Sequence, residues 1–146
     1  MIRDFEPRDQ SQAQELILSG LQEHWGFRDP SKNPDLWDIA ASYTGATFVV
    51  ACEGSRVVGT GALKRRTDTV GEVVRMSVAR DMRRRGIGGL ILRSLLDQAK
   101  RANMERVILE TTATWEEVVR FYQEHGFRVT HHEAGDVYFA LDLADR

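Results

Sequence analysis

One cysteine, three prolines and almost no net charge set the first limits on this chain of 146 residues. A lone Cys52 builds neither a disulfide framework nor a cysteine-rich zinc site. The prolines, Pro7, Pro30 and Pro34, all fall in the first quarter. No Pro/Ser linker, repeat or low-complexity tract follows them, so a single domain over 1–146 is expected. No run approaches the roughly 18 apolar residues of a membrane span. The start, Met1-Ile2-Arg3-Asp4-Phe5-Glu6, carries no apolar leader. A formal net charge of −2 argues against a general nucleic-acid coat or a polybasic membrane binder. The expectation is a cytoplasmic, reduced setting with neither nucleic acid nor membrane as partner.

What is present is a globular composition, with 42% apolar and 29% charged residues. The near-neutral total hides an asymmetry. Residues 75–106 carry nine basic and three acidic side chains, whereas residues 107–146 carry three basic and eight acidic ones. A basic middle between acidic ends suggests an anion site in the middle and surfaces that favour cations elsewhere.

Periodicity gives the element order. Ile2 to Phe5 reads as a short strand. Ala13, Leu16, Ile17 and Leu21 form one helical stripe between Arg8 and His24. Gly26 to Pro34 breaks the pattern, and a second helix is expected from Pro34 to Tyr43 with Asn33 as its cap. Thr47–Cys52 and Arg56–Leu63 read as a hairpin, followed by a strand from Val70 to Ala79. Ile87, Ile91, Leu95 and Ala99 align along a helix from Gly86 to about Asn103. A buried strand follows at Val107–Glu110. Thr114 and Glu117 form a capping-box pattern for a helix that stops at Gly126. Phe127–Thr130 and Val137–Leu143 close the chain as two strands. The result is a mixed α/β arrangement with one parallel crossover in the middle.

The most informative segment is Val78-Ala79-Arg80-Asp81-Met82-Arg83-Arg84-Arg85-Gly86-Ile87-Gly88-Gly89. An apolar strand runs through a basic, glycine-bearing turn straight into a helix. Free amides of a first helical turn, the positive end of its dipole and nearby arginines make an anion cradle suited to a phosphate or pyrophosphate. The nucleotide pattern G-x-x-x-x-G-K-[ST] is absent, and Ile91 stands where a dinucleotide fingerprint wants its third glycine. Gly59 and Gly61 are better read as bulge markers. His125, His131 and His132 lack the spacing of a metal site, and Cys52 reads as an inert thiol.

The run Arg83 to Gly88 resembles the acetyl-CoA signature [Q/R]-x-x-G-x-[G/A] of the GNAT acetyltransferase superfamily. Glu72-Val73-Val74-Arg75-Met76-Ser77-Val78 is similar to that family's fourth strand, and Leu109-Glu110-Thr111-Thr112 to the end of its fifth. Phe121-Tyr122-Gln123-Glu124-His125-Gly126-Phe127 is similar to its F-Y-x-x-x-G-F segment. The likeness is strongest over residues 70–130. It implies a GNAT fold: a mixed central sheet of about six to seven strands, splayed at the fourth and fifth, flanked by about four helices.

The resemblance also implies roles. Acetyl-CoA would be the cosubstrate, with its pyrophosphate on the backbone of Arg83, Arg84, Arg85, Gly86, Ile87, Gly88 and Gly89. Its pantetheine arm would pair with Met76, Ser77 and Val78. Thr111 and Thr112 stand where many members carry an asparagine or serine for that arm. Tyr122 matches the general acid that protonates the leaving thiolate, the alternative being a core tyrosine with a satisfied hydroxyl. Glu72 matches a general base for the amine, with Glu110 as its rival. The acceptor pocket would be built around the first two helices, where Trp25, Phe27, Trp37 and Tyr43 lie among Glu23, Asp29, Asp35 and Asp38. No metal is implied, and homodimers are common in that family. The reading is therefore an N-acetyltransferase acting on a primary amine. A non-catalytic acyl-CoA sensor on the same fold and a nucleic-acid binder using Arg80 to Arg106 are the other classes.

Overall fold

A computed structural model describes residues 1–26 and 32–143. The elements are β1 (Ile2–Asp4), α1 (Gln10–Trp25), α2 (Ile39–Ser42), β2 (Thr47–Glu53), β3 (Arg56–Arg65) and β4 (Val70–Val78). They continue with α3 (Ile87–Arg101), β5 (Arg106–Thr112), α4 (Glu116–Glu124), β6 (Arg128–Glu133) and β7 (Asp136–Asp142). The seven strands form one sheet in the order β1-β2-β3-β4-β5-β7-β6. Every neighbouring pair is antiparallel except β4 and β5, which run parallel because α3 carries the chain back between them. This is the expected splayed, mixed α/β sheet with four helices.

Strand alternation gives the sheet two apolar faces. On one, Ile91, Leu92, Leu95 and Ala99 of α3 meet Val73, Val107, Leu109 and Phe139. On the other, Ala13 and Ile17 of α1, with Leu36 and Ile39, cover Val50 and Ala62. These are the stripes read from the sequence, and burying them supplies the main drive to fold.

β4 and β5 pair over three rungs only: Val70 with Arg106, Gly71 with Val107 and Glu72 with Ile108. Beyond these they part. The cause lies on the other edge of β4. Thr60 pairs with Ser77 and Ala62 with Val74, so Arg75 and Met76 together oppose Gly61. Such a bulge bends and twists its strand. Arg75 sits at a φ of 56°. The fully buried Thr60 donates its hydroxyl to the Arg75 carbonyl at 2.8 Å and holds the bend. Gly61 is required for packing: a Cβ there would lie 2.5 Å from Ile91 Cγ2 and 2.8 Å from Met76 Sδ.

Two local expectations are corrected. The helix expected over Pro34–Tyr43 is a 3-10 turn, Pro34–Leu36, followed by α2. Asn33 makes no side-chain cap bond, and Asp38 caps α2 instead by accepting from the Ala41 amide. Gln10 of α1 fills the break, donating to the Leu36 carbonyl at 2.7 Å and accepting from the Ile39 amide at 2.9 Å. The capping box at Thr114 does not form. Trp115 occupies the cap position without a side-chain bond, and its ring stacks on His24 of α1 at 4.2 Å. The expected stop at Gly126 does occur, at a φ of 92°. Cys52 is half-buried on β2, and His131 and His132 are exposed on β6.

Replacing Gly61 with Ala is expected to destabilise the protein by about 1–3 kcal/mol through overpacking against Ile91, measured as a lower denaturant midpoint. Arg3 donates to Asp9 through two bonds of 2.7 and 2.9 Å, and these hold the Asp9 carboxyl below its usual range. Its contribution is full above the ordinary carboxylate pKa of about 4 and is lost as pH falls through the lower folded value. The variant Asp9→Asn should therefore be less stable at neutral pH and lose less stability on acidification below about pH 4, in urea titrations at several pH values.

Candidate active site

The parting of β4 and β5 opens a cleft of about 760 Å³. Met76, Ser77 and Val78 of β4 form one wall, and Thr111 and Thr112 of β5 with Tyr122 of α4 form the other. Gly20, Glu23 and His24 of α1 close it from one side of the sheet. Gly20 lets α1 come down onto Ser77, whose Oγ lies 3.2 Å from where a Cβ would sit.

At the end of the β4 wall the chain turns from Arg83 into α3. Arg84 and Gly86 adopt φ of 64° and 81°, and a Cβ on Gly86 would meet nothing within 4 Å. Leu90 is the first amide of α3 to find a helical acceptor, the Gly86 carbonyl at 3.1 Å. The amides of Gly86, Ile87, Gly88 and Gly89 meet no acceptor among the described residues. Four amides without an acceptor stand at the positive end of the helix, with open space at Gly86 and the Phe121 and His125 rings beside Gly88 and Gly89. Arg84 and Arg85 are exposed beside it. Arg83 is committed elsewhere: its fork grips Glu23 of α1 at 2.7 and 2.9 Å. Those hydrogen bonds hold the Glu23 carboxyl below its usual range.

Tyr122 is only 6% exposed and packs against Phe121, Phe127 and Phe139. Its hydroxyl makes no hydrogen bond to another described residue and is not fully buried, and the residue lines the cleft. Burial pushes the phenol well above its usual pKa, so the group keeps its proton throughout the neutral range.

The two candidate carboxylates differ in place. Glu72 sits on the last rung that β4 shares with β5, and its side chain lies 3.4 Å from Arg66. It is mostly covered and does not line the cleft. Glu110 stands two residues beyond the last β5 rung and does line it.

The region of the first two helices is arranged differently from the expected aromatic and acidic pocket. Trp25 and Trp37 are exposed. Asp35 accepts two bonds from Arg75, at 2.7 and 3.0 Å, and one from the Tyr43 hydroxyl at 2.6 Å. Burial opposes ionisation of Asp35, but Arg75 and Tyr43 outweigh it and hold the carboxyl below its usual range. Burial, aided by Asp35, pushes Tyr43 up to about 12. Phe27 and Asp29 lie outside the described residues.

Several contacts had no signal in the sequence. The bonds from Arg75 to Asp35 span 40 residues and those from Arg83 to Glu23 span 60. His24 meets Trp115 from the far end of another helix. No group of three His, Cys, Asp or Glu among the described residues is placed to hold a metal ion. No described helix is long and apolar enough to cross a membrane.

Comparison with known proteins agrees with this geometry. The uncharacterized N-acetyltransferase YedL of Escherichia coli is 39% identical over 83 residues, 56% of this chain and 52% of that protein. The chain thus spans about half the length of the curated relatives it matches first. A GNAT-family acetyltransferase from Staphylococcus aureus Mu50 superposes with a TM-score of 0.90 at 22% identity, over 98% of both chains. The PaiA N-acetyltransferase from Thermoplasma acidophilum, solved in complex with coenzyme A, superposes with a TM-score of 0.86 at 16% identity, again over 98% of both. The model of the acetyltransferase (GNAT) family matches residues 12–127. With that match over most of its length and a sheet splayed between β4 and β5, the chain belongs to the GNAT acetyltransferase family.

Proposed function

We propose that this protein transfers an acetyl group from acetyl-CoA to a primary amine by direct attack in a ternary complex. The observation that carries the reading is the Tyr122 hydroxyl, protonated, unpartnered and opening on the cleft between β4 and β5. A phenol hydroxyl at the edge of a cleft with no protein partner is free to donate to a ligand there.

Coenzyme A fits the groups present. Its pyrophosphate would rest on the amides of Gly86 to Gly89, with Arg84 and Arg85 adding charge. The pantetheine arm would lie along the unpaired edge of β4 at Met76 to Val78, as an added strand does in peptide recognition. Thr111 and Thr112 face it from β5. Coenzyme A in the Thermoplasma neighbour supports this assignment.

The acceptor arrives as an ammonium and must lose a proton before it attacks. Glu72 takes that proton through water in this scheme, and Glu110, which lines the cleft, is the competing base. The amine nitrogen then attacks the thioester carbonyl, whose oxygen is stabilised by main-chain donors of β4. An N–C bond forms and the C–S bond breaks. The thiolate takes the Tyr122 proton, the new amide sheds its extra proton to restore the phenol, and the net reaction releases one proton. A non-catalytic acyl-CoA sensor would bind acetyl-CoA without releasing thiol to any amine.

Acetyl-CoA at about 100 times its dissociation constant should stabilise the protein by about 2.7 kcal/mol, seen as a rise in Tm that AMP and ATP do not reproduce. The variant Gly86→Val should lose most of that rise, because it strains a positive φ and blocks approach to the cradle. Tyr122→Phe should lower kcat by about 10²–10⁴-fold while leaving the acetyl-CoA Tm shift nearly intact; an unchanged kcat removes Tyr122 from the mechanism.

A further inference from the structure

Among the described residues, Arg75, Arg84, Asn103 and Ala134 adopt a positive φ without being glycine. Arg84, Asn103 and Ala134 lie in turns, whereas Arg75 lies inside a strand, β4. A glycine would take this conformation freely. An L side chain stays there only when its surroundings over-determine it. The surroundings of Arg75 hold it at both ends. Its carbonyl accepts from the Thr60 hydroxyl at 2.8 Å. Its guanidinium, on the wall of the cleft, donates from Nε and Nη2 to the two oxygens of Asp35, at 3.0 and 2.7 Å.

Asp35 is a fixed anchor for that guanidinium. It sits in the 3-10 turn Pro34–Leu36, and Leu36 is buried in the core that α1 covers. Tyr43 donates to Asp35 at 2.6 Å, and its ring meets Phe48 of the same core edge-on at 5.1 Å. A continuous line of contacts, Phe48 to Tyr43 to Asp35 to Arg75, therefore joins this core to the bulge.

The bulge decides what the open edge of β4 presents. Ala79 donates to the Val58 carbonyl while Gly59 pairs with Val78, so the main chain of Ser77 faces β3 and those of Met76 and Val78 face away. The N–H and C=O of a trans peptide point in opposite directions. With the Arg75 carbonyl turned to Thr60 of β3, the Met76 amide turns away from β3, to the side where β5 has parted. A rotation of the backbone at Arg75 would swing that amide off its line.

Building on the acetyl-transfer reading of this cleft, we infer that Arg75 is a positioning residue for it: anchored by Asp35 and Tyr43, Arg75 holds the bulge so that the Met76 amide donates to the thioester carbonyl of acetyl-CoA. Arg75 touches neither the thioester nor the acceptor in this scheme. It acts through the Met76 amide, whose hydrogen bond strengthens as negative charge gathers on the carbonyl oxygen. The bond changes are those of the acetyl transfer itself.

The test is infrared spectroscopy of acetyl-CoA, labelled with heavy carbon at the thioester carbonyl and bound to the whole protein. Equally labelled S-ethyl thioacetate in hexane marks the stretch of an unbonded carbonyl, and CoA serves as the ligand without that carbonyl. The band bound to the wild type should lie below the unbonded mark. Asp35→Asn and Arg75→Gly should each return about half or more of that displacement. Glycine leaves the positive φ accessible, so its effect reports loss of the side-chain anchor and not backbone strain. Tyr43→Phe keeps its ring against Phe48 and should return a smaller part; it serves where loss of the ion pair costs the fold. The Tm rise with CoA should persist in all three variants, because none touches Gly86 to Gly89. Variants that keep the wild-type band overturn the inference, and so does a wild-type band at the unbonded mark. Loss of the CoA Tm rise along with the band makes the network a support for binding and also overturns it. A wild type whose Tm responds to neither CoA nor acetyl-CoA overturns the acetyl-CoA reading, and this inference with it.

Discussion

The bend in β4 is the constraint on which the functional architecture depends. Two residues, Arg75 and Met76, oppose one, Gly61, and the buried Thr60 hydroxyl ties the extra residue down through the Arg75 carbonyl. A strand bent in this way follows β3 but departs from β5 after Glu72. The divergence leaves facing edges of backbone without sheet partners, which a folded protein tolerates only where water or a ligand completes them. It also sends the end of β4 into the turn before α3, whose Arg83 lines the same opening. One rung of irregular pairing therefore produces the cleft and its unpaired edge.

Ion pairs then divide the cleft into a committed side and an available side. Arg75, Asp35 and Tyr43 bind the segment around α2 to the bend itself, and Arg83 and Glu23 bind the end of α1 to the signature turn. These bonds brace the helical side of the cleft against β4 and the turn before α3. They also consume the cations that a glance at the basic middle of the chain would assign to substrate. Glu110 and Asp136 line the cleft with no ion-pair partner among the described residues. The electrostatic character of the cleft follows from which charges find partners within the protein, and a count of charges does not reveal it.

Much of this was legible in the order of residues. The stripes at Ala13 and Ile17 and at Ile91, Leu95 and Ala99 are local periodicities, and burial turned them into the two cores. The turn at Gly86 was legible because positive φ, close approach and free helix-start amides all require particular residues at particular places. Gly126 was legible for the same reason. Caps failed where a competing partner came from elsewhere: Thr114 lost its role where Trp115 turns to His24, and Gln10 of α1 stands at the break before α2.

The sequence by itself determined the element order, the parallel crossover and the glycine turn that starts α3, because each rests on interactions within a few residues or on a repeating burial pattern. Only the tertiary structure decided which charges are spent. Arg75 and Asp35 stand 40 positions apart, and Arg83 and Glu23 stand 60 apart, so no local pattern encodes either pairing. It likewise decided that Glu110 lines the cleft and Glu72 does not, since that depends on the rung at which two strands separate. The exposure of Tyr122 to the cleft is of the same kind. A tyrosine on an apolar helix face reads as core, and only the opening between β4 and β5 gives its hydroxyl somewhere to point.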